Sequence, residues 1–193
     1  MAHPKQEIRK FYNATGKLQD SQNFYEAPCL SFILEQADYE NINTVVEIGV
    51  GTGHFAHKLL HKNLSENISY YGYDISDTMI ALAQKKLHDY KQNIHLERRD
   101  VCCGLPLESS SADVVFANYL FDILDENEIH KLIAELYRIL KPGGTIYISN
   151  ICHGETTTSE IIMHLWKWIY QIWPKLVGFC KPVALEKNFH HPK

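Results

Sequence analysis

Three features of this 193-residue sequence predict an α/β fold, a mostly parallel sheet with helices on both faces. Short β-branched or aromatic runs alternate with longer stretches of helical periodicity. The first run, Thr44 to Ile48, leads into glycines at every second position, Gly49, Gly51 and Gly53, and a helical pattern begins at once. The run Ala112 to Asn118 is nearly continuous in apolar character, which marks a central strand covered on both faces. The length suits one domain with a single sizeable core.

Composition narrows the function classes. Hydrophobic residues make up 45% and charged residues 22%, ordinary values for a soluble globular protein. A net charge of −4, with no basic cluster beyond pairs such as Lys85-Lys86, gives no electrostatic case for a nucleic-acid partner. Five cysteines with no C-x-x-C pair indicate neither a disulfide framework nor a zinc ribbon. The polar N-terminus and the lack of a run of roughly 18 apolar residues point to a cytoplasmic protein.

Ahead of the first strand, Ile8, Phe11 and Tyr12 share helical spacing, as do Leu30, Ile33, Leu34 and Ala37, so residues 1–43 form two short helices. After the glycine turn, Phe55, Leu59 and Leu60 form the inward stripe of the next helix. His54, His57 and His61 share its other face, but no fourth ligand accompanies them and no metal is expected. Ile68 to Asp74 is the second strand, followed by a helix from Asp77 to Tyr90 with Met79, Ile80 and Leu87 on its apolar face. Asp74 lies 23 residues past Gly51. A carboxylate there is placed to accept hydrogen bonds from ribose hydroxyls. The competing helix-cap role can fall to Ser76 or Asp77. Asn93 to Arg99 is an alternating, edge-like third strand. The helix from Asp125 to Leu140 carries acid at its start and base at its end, and Pro142-Gly143-Gly144 stops it before the fifth strand, Gly144 to Asn150. Thr156 to Trp173 is an apolar helix rich in Trp and Tyr. The sheet needs cover, which favours packing on the sheet and acceptor pocket over a membrane interface.

The glycine turn is not a dinucleotide fingerprint. His54 stands where its third glycine belongs, and no Tyr-x-x-x-Lys pair is visible for an NAD(P) oxidoreductase. Glu47-Ile48-Gly49-Val50-Gly51-Thr52-Gly53 resembles motif I (E-x-G-x-G-x-G) of class I S-adenosylmethionine-dependent methyltransferases. Asp74-Ile75-Ser76-Asp77-Thr78-Met79 is similar to their D-x-S-x-x-M segment, and Arg138-Ile139-Leu140-Lys141-Pro142-Gly143-Gly144 to their R-x-L-K-P-G-G segment. Between Phe24 and Gly144 the pattern is most similar to enzymes of the quinone- and lipid-biosynthesis kind.

The resemblance implies a Rossmann-like three-layer sandwich of sheet order 3-2-1-4-5, with residues 1–43 as a helical lid, 44–155 as the cofactor-binding core and 156–193 as an apolar helix and tail of the same domain. It implies S-adenosylmethionine as cofactor, held by Glu47, Gly49, Gly51, Gly53, Asp74, Ile75 and Met79. Asp100 and the Val101 backbone would take the adenine; Asn118 and Tyr119 would take the methionine part or face the acceptor. Tyr12, Phe24 and Tyr25 are lid aromatics able to approach an S-methyl cation. An oxygen acceptor would need a base, for which Asp122 and His153 are the candidates.

One departure stands out. The family's sixth and seventh strands are missing or truncated, which leaves the fifth strand as an edge open to an oligomeric partner. The expected activity is methyl transfer to a small apolar acceptor by in-line displacement. The alternative is a catalytically degenerate methyltransferase fold that binds a partner, or a membrane surface through residues 161–173.

Overall fold

The computed structural model describes residues 4–16, 23–61, 65, 67–152 and 156–185, with the backbone alone at 23–26. Helices α1 (Lys5–Thr15) and α2 (Asn23–Gln36) precede β1 (Thr44–Ile48), α3 (His54–His61), β2 (Ser69–Asp74), α4 (Asp77–Leu87) and β3 (Asn93–Arg98). Then follow β4 (Ala112–Asn118), α5 (Glu126–Ile139), β5 (Leu140–Ser149) and α6 (Thr157–Ile172). The strands form one parallel sheet in the order β3-β2-β1-β4-β5, the three-layer arrangement expected. Among the described residues no sixth strand joins it.

Alternation along the strands divides the core in two. Val45, Tyr70, Val114 and Phe116 face α2, α3 and α4, where Phe55 meets Phe116 with ring centroids 4.9 Å apart. Val46, Ile48, Val115 and Ala117 face Leu132 and Leu136 of α5. Adjacent residues of β1 thus belong to opposite layers, as the two-residue period requires.

The stretch from Arg138 to Gly144 ties the sheet together at the end away from the C-terminal strand tips. The Arg138 guanidinium pairs with Glu135 at 2.6 Å and donates to the Leu107 and Leu105 carbonyls, pinning the loop before β4. Lys141 pairs with Asp113 at 2.7 Å, and Asp113 also accepts the Asn43 and Thr44 backbone N–H groups. One short motif therefore fixes β1, β4 and β5 relative to one another.

Three features differ from expectation by more than a residue at an element's end. α4 ends at Leu87 rather than Tyr90. β5 begins at Leu140, because Leu140 already pairs with Ala112 before a register shift next to Val114. Pro142 is tolerated there because β5 is an edge strand. The third difference is larger: α6 has no buried residue and does not cover the sheet. Both faces are already filled, by α2, α3 and α4 on one side and α5 on the other.

The entry to α3 depends on Gly53. Its φ is +76°, and a Cβ would lie 3.0 Å from the Ala83 Cα of α4. Gly53→Ala should lower unfolding stability by roughly 2–3 kcal/mol, from left-handed strain plus overpacking against backbone. Urea titration measures this; a change below about 0.5 kcal/mol, the usual range for a surface substitution, would show that the α3–α4 approach is not tight.

Candidate functional site

The C-terminal ends of β1, β2 and β4 enclose a cleft at the point where strand order reverses, the usual ligand position in such sheets. Its floor is the turn after β1. The Gly49 and Val50 N–H groups both donate to the Tyr73 carbonyl, at 2.8 and 3.0 Å, and the Gly51 N–H donates to Asp74 Oδ2 at 2.9 Å. A Cβ at Gly51 would project into open space in the cleft, so the bare backbone there is accessible to a ligand.

Glu47, Asp74 and Asp100, from three different segments, all open on this cleft. Asp74 accepts the Gly51 N–H on one oxygen and the Ser76 N–H on the other, at 2.9 and 2.8 Å. The Ile75 N–H is a further donor to this carboxylate, whose four lone-pair sites leave capacity for a ligand. Ser76 caps α4 by accepting the Met79 N–H, which spares Asp74 that task as the sequence suggested. Burial raises the Asp74 pKa to about 6 despite these backbone donors.

Glu47 is fully buried at the cleft floor and accepts a short hydrogen bond from the Tyr70 hydroxyl. That contact exists because residue 72 is glycine. A Cβ there would lie 3.1 Å from Tyr70 Cε1 and 2.6 Å from Leu96 Cδ2, so the Tyr70 ring lies across the vacant position to reach β1. Burial, partly opposed by the Tyr70 donor, pushes the Glu47 pKa up to about 8, and the Asp74 charge adds to the rise.

Asp100 is engaged from α1. Lys5 Nζ of α1 lies 2.7 and 2.8 Å from its two oxygens and 2.9 Å from Glu128 Oε1. Burial alone would raise the Asp100 pKa, but the Lys5 ammonium and the Cys102 backbone N–H hold it below the ordinary value. The ring of Tyr12, also on α1, lines the cleft, and its hydroxyl donates to the Gly178 carbonyl at 3.0 Å. Of the other lid aromatics, the side chains of Phe24 and Tyr25 lie outside the described residues.

Ile75, Met79, Val101, Asn118 and Tyr119 also line the cleft. Asn118 accepts the Ser149 hydroxyl at 3.0 Å, while its buried Nδ2 has no hydrogen-bond partner. Gly53 is not on the cleft wall; it serves the α3–α4 contact. Asp122 does not face the cleft either. It is fully buried, and both its oxygens take the Ile151 N–H, at 3.0 and 3.2 Å, anchoring the chain after β5. This removes it as a base for the acceptor. His153 lies outside the described residues.

Sequence reasoning missed Tyr70, Lys5 and Glu128. A glycine inside a strand, Gly72, was the available signal for Tyr70, since such a residue marks close approach. Nothing local signals Lys5, whose partner is 95 residues away. Glu128 reads as the capping-box residue that it also is.

Between its unfolded value near 4.5 and its folded value of about 8, Glu47 keeps a proton that the unfolded chain has released. Folding stability should therefore fall as pH rises through that window. Thermal melts from pH 6 to pH 8.5 should show a declining Tm, and Glu47→Gln should flatten the decline. Parallel curves for the two proteins would contradict a protonated Glu47.

Residues 45–144 match the family model described as a methyltransferase domain. Among curated proteins, phosphoethanolamine N-methyltransferase 1 of Triticum aestivum is 34% identical over 118 residues, 61% of this chain and 23% of that protein. The malonyl-[acyl-carrier protein] O-methyltransferase of a Marinomonas species is 27% identical over 78% of this chain and 53% of its own length. This chain thus spans about half or less of the length of these relatives. In fold it is similar to Haemonchus contortus phosphoethanolamine N-methyltransferase 1, solved with phosphoethanolamine and S-adenosylhomocysteine: TM-score 0.65, 22% identity, 80% of this chain and 34% of that one.

Proposed function

We propose a function from the premise that this chain belongs to the methyltransferase-domain family: transfer of a methyl group from S-adenosylmethionine to a small, apolar acceptor of quinone or lipid type. The observation that carries this reading is the convergence of Glu47, Asp74 and Asp100 on one cleft floored by bare glycine backbone. The cleft fits the cofactor on two further counts. The open position at Gly51 accepts a flat ligand against the main chain, and the unpartnered Asn118 Nδ2 sits at the wall that would receive a carboxylate.

The roles follow from chemistry. Asp74, with lone-pair capacity left beyond its backbone donors, holds ribose hydroxyls. Asp100 and the Val101 N–H hold an adenine edge. Glu47, kept by Tyr70 at the floor, places a carboxylate near positive charge, which favours its ionised form. When bound, the cofactor supplies an electrophilic methyl on a sulfonium. The chain contributes alignment and electrostatics rather than covalent chemistry. Ile8, Leu30, Phe55, Ile123 and Leu124 give the rest of the wall an apolar character, which supports an apolar acceptor. With Asp122 turned away, His54 is an imidazole on the cleft wall within the described residues, placed to take a proton where the acceptor needs one.

Lys5 competes for Asp100. A cation on a carboxylate is a stronger partner than a neutral amino group, so an adenine must displace the lid lysine.

Isothermal titration should show binding of S-adenosylmethionine and S-adenosylhomocysteine, with methyl transfer read by mass spectrometry on a panel of quinones and lipids. No binding of either would overturn the reading; binding without transfer would favour a degenerate, ligand-holding fold. Asp74→Asn should weaken binding by about 10- to 100-fold, the loss expected for charge-assisted bonds to two hydroxyls. Lys5→Ala should tighten binding several-fold by freeing Asp100. Weaker binding in that variant would mean that Lys5 holds the ligand instead.

A further inference from the structure

We propose that α6 and the turn after it form a docking face for an anionic lipid surface, seated beside the mouth of the cleft. The acceptor-delivery role of this face rests on the methyl-transfer reading above; the surface itself does not.

Helix α6 carries two apolar stripes. The inner one, Met163, Trp166, Ile169 and Tyr170, is half-buried. It is held by the 3-10 turn Pro174–Val177, and the Trp166 indole N–H donates to the Cys180 carbonyl at 3.0 Å. The outer one is Ile161, Leu165, Trp168 and Ile172, at steps of four, three and four, and each residue is more than half exposed. Trp173 and Leu176 extend it, both 62% exposed. A capping box between Thr156 and Ser159 fixes the start of the helix, so the outer stripe is presented by a built element.

Charge identifies the occupant. The chain as a whole carries −4, yet residues 161–185 contain Lys167, Lys175 and Lys181 and no carboxylate. Lys175 also reaches Glu7 at 3.6 Å. An apolar stripe bearing Trp and flanked by cations is complementary to an anionic bilayer interface, where indole rings and lysines both settle. A second copy of the chain fits less well. Two-fold pairing brings a patch against itself and would oppose three lysines to three, against which α6 offers the single acid Glu160.

The face is joined to the cleft. Phe179, just past the turn, packs edge-on against Phe11 with centroids 5.3 Å apart, and the Gly178 carbonyl accepts the hydroxyl of Tyr12. Phe11 and Tyr12 belong to α1, the same helix whose Lys5, Ile8 and Tyr12 line the cleft. The docking face and the cleft are thus tied to one helix, α1.

Flotation of the full chain with phosphatidylcholine vesicles containing phosphatidylglycerol tests this, against vesicles of phosphatidylcholine alone. We expect binding to the anionic vesicles and a blue shift of tryptophan fluorescence. Trp168→Ser with Trp173→Ser should reduce binding by about tenfold or more, since apolar burial drives it. Lys167→Glu with Lys181→Glu should abolish the preference for anionic vesicles. Trp168, Trp173 and Lys167 are exposed and Lys181 is half-buried, so circular dichroism and titration with S-adenosylhomocysteine check that each variant keeps the fold. No flotation, or flotation indifferent to both variants, overturns the proposal. A dimer in light scattering that the Trp variant dissolves overturns it in favour of a protein interface. Cofactor binding without flotation defeats this surface alone; flotation without cofactor binding defeats the methyl-transfer reading alone.

Discussion

Three backbone N–H groups, those of Gly49, Val50 and Gly51, turn back onto the end of β2, two onto the Tyr73 carbonyl and one onto Asp74. This closure is the constraint on which the site depends. It forces the chain to leave β1 in a tight turn, opens a space no side chain fills, and brings the second strand's carboxylate to the first strand's tip. Asp74 is therefore both a part of the turn and a candidate ligand group. The backbone donors fix its orientation before any ligand arrives.

Putting three carboxylates around one small cleft is electrostatically costly, and each acid is relieved differently. Glu47 is relieved by protonation, with Tyr70 donating to it. Asp74 is relieved by backbone donors. Asp100 is relieved by the Lys5 ammonium, which Glu128 also holds. A ligand carrying a positively charged sulfur and an amino group would replace part of this internal compensation with its own charge. On the proposed reading, the resting structure is stabilised by substitutes for that ligand's charge, and α1 delivers one of them.

The sheet was largely legible because its signals are periodic and local. The parallel class followed from the turn after β1 and the sequence of runs; the strand order came with the family resemblance. The R-x-L-K-P-G-G segment was the most specific signal, yet it acts far from the chemistry: Arg138 and Lys141 tether loops and strands at the opposite end of the sheet. Its specificity reports the fold. The site was legible where a strand end dictates a residue's position, as at Glu47, Asp74, Asp100 and Asn118. It was illegible where partners lie far apart in sequence, as with Lys5 and Asp100, or where a missing side chain makes the contact, as Gly72 does for Tyr70. Asp122 misled because nearness in sequence to the tip of β4 does not fix direction; its carboxylate turns to the Ile151 N–H instead.

The apolar helix α6 shows the same distinction between composition and placement. Its residues argued for cover, and a parallel sheet does need cover on both faces. But α2 reaches β5 as well as the central strands, with the Asp38 N–H donating to the Tyr147 hydroxyl, and α5 closes the other face. No uncovered layer is left for α6 to fill. Its inner stripe is taken by its own following turn, and its outer stripe is exposed, in a segment whose residues 161–185 carry three lysines and no acid while the whole chain carries −4. The turn that holds this helix is tied through Tyr12 and Phe11 to α1, the same helix whose Lys5 pairs with Asp100.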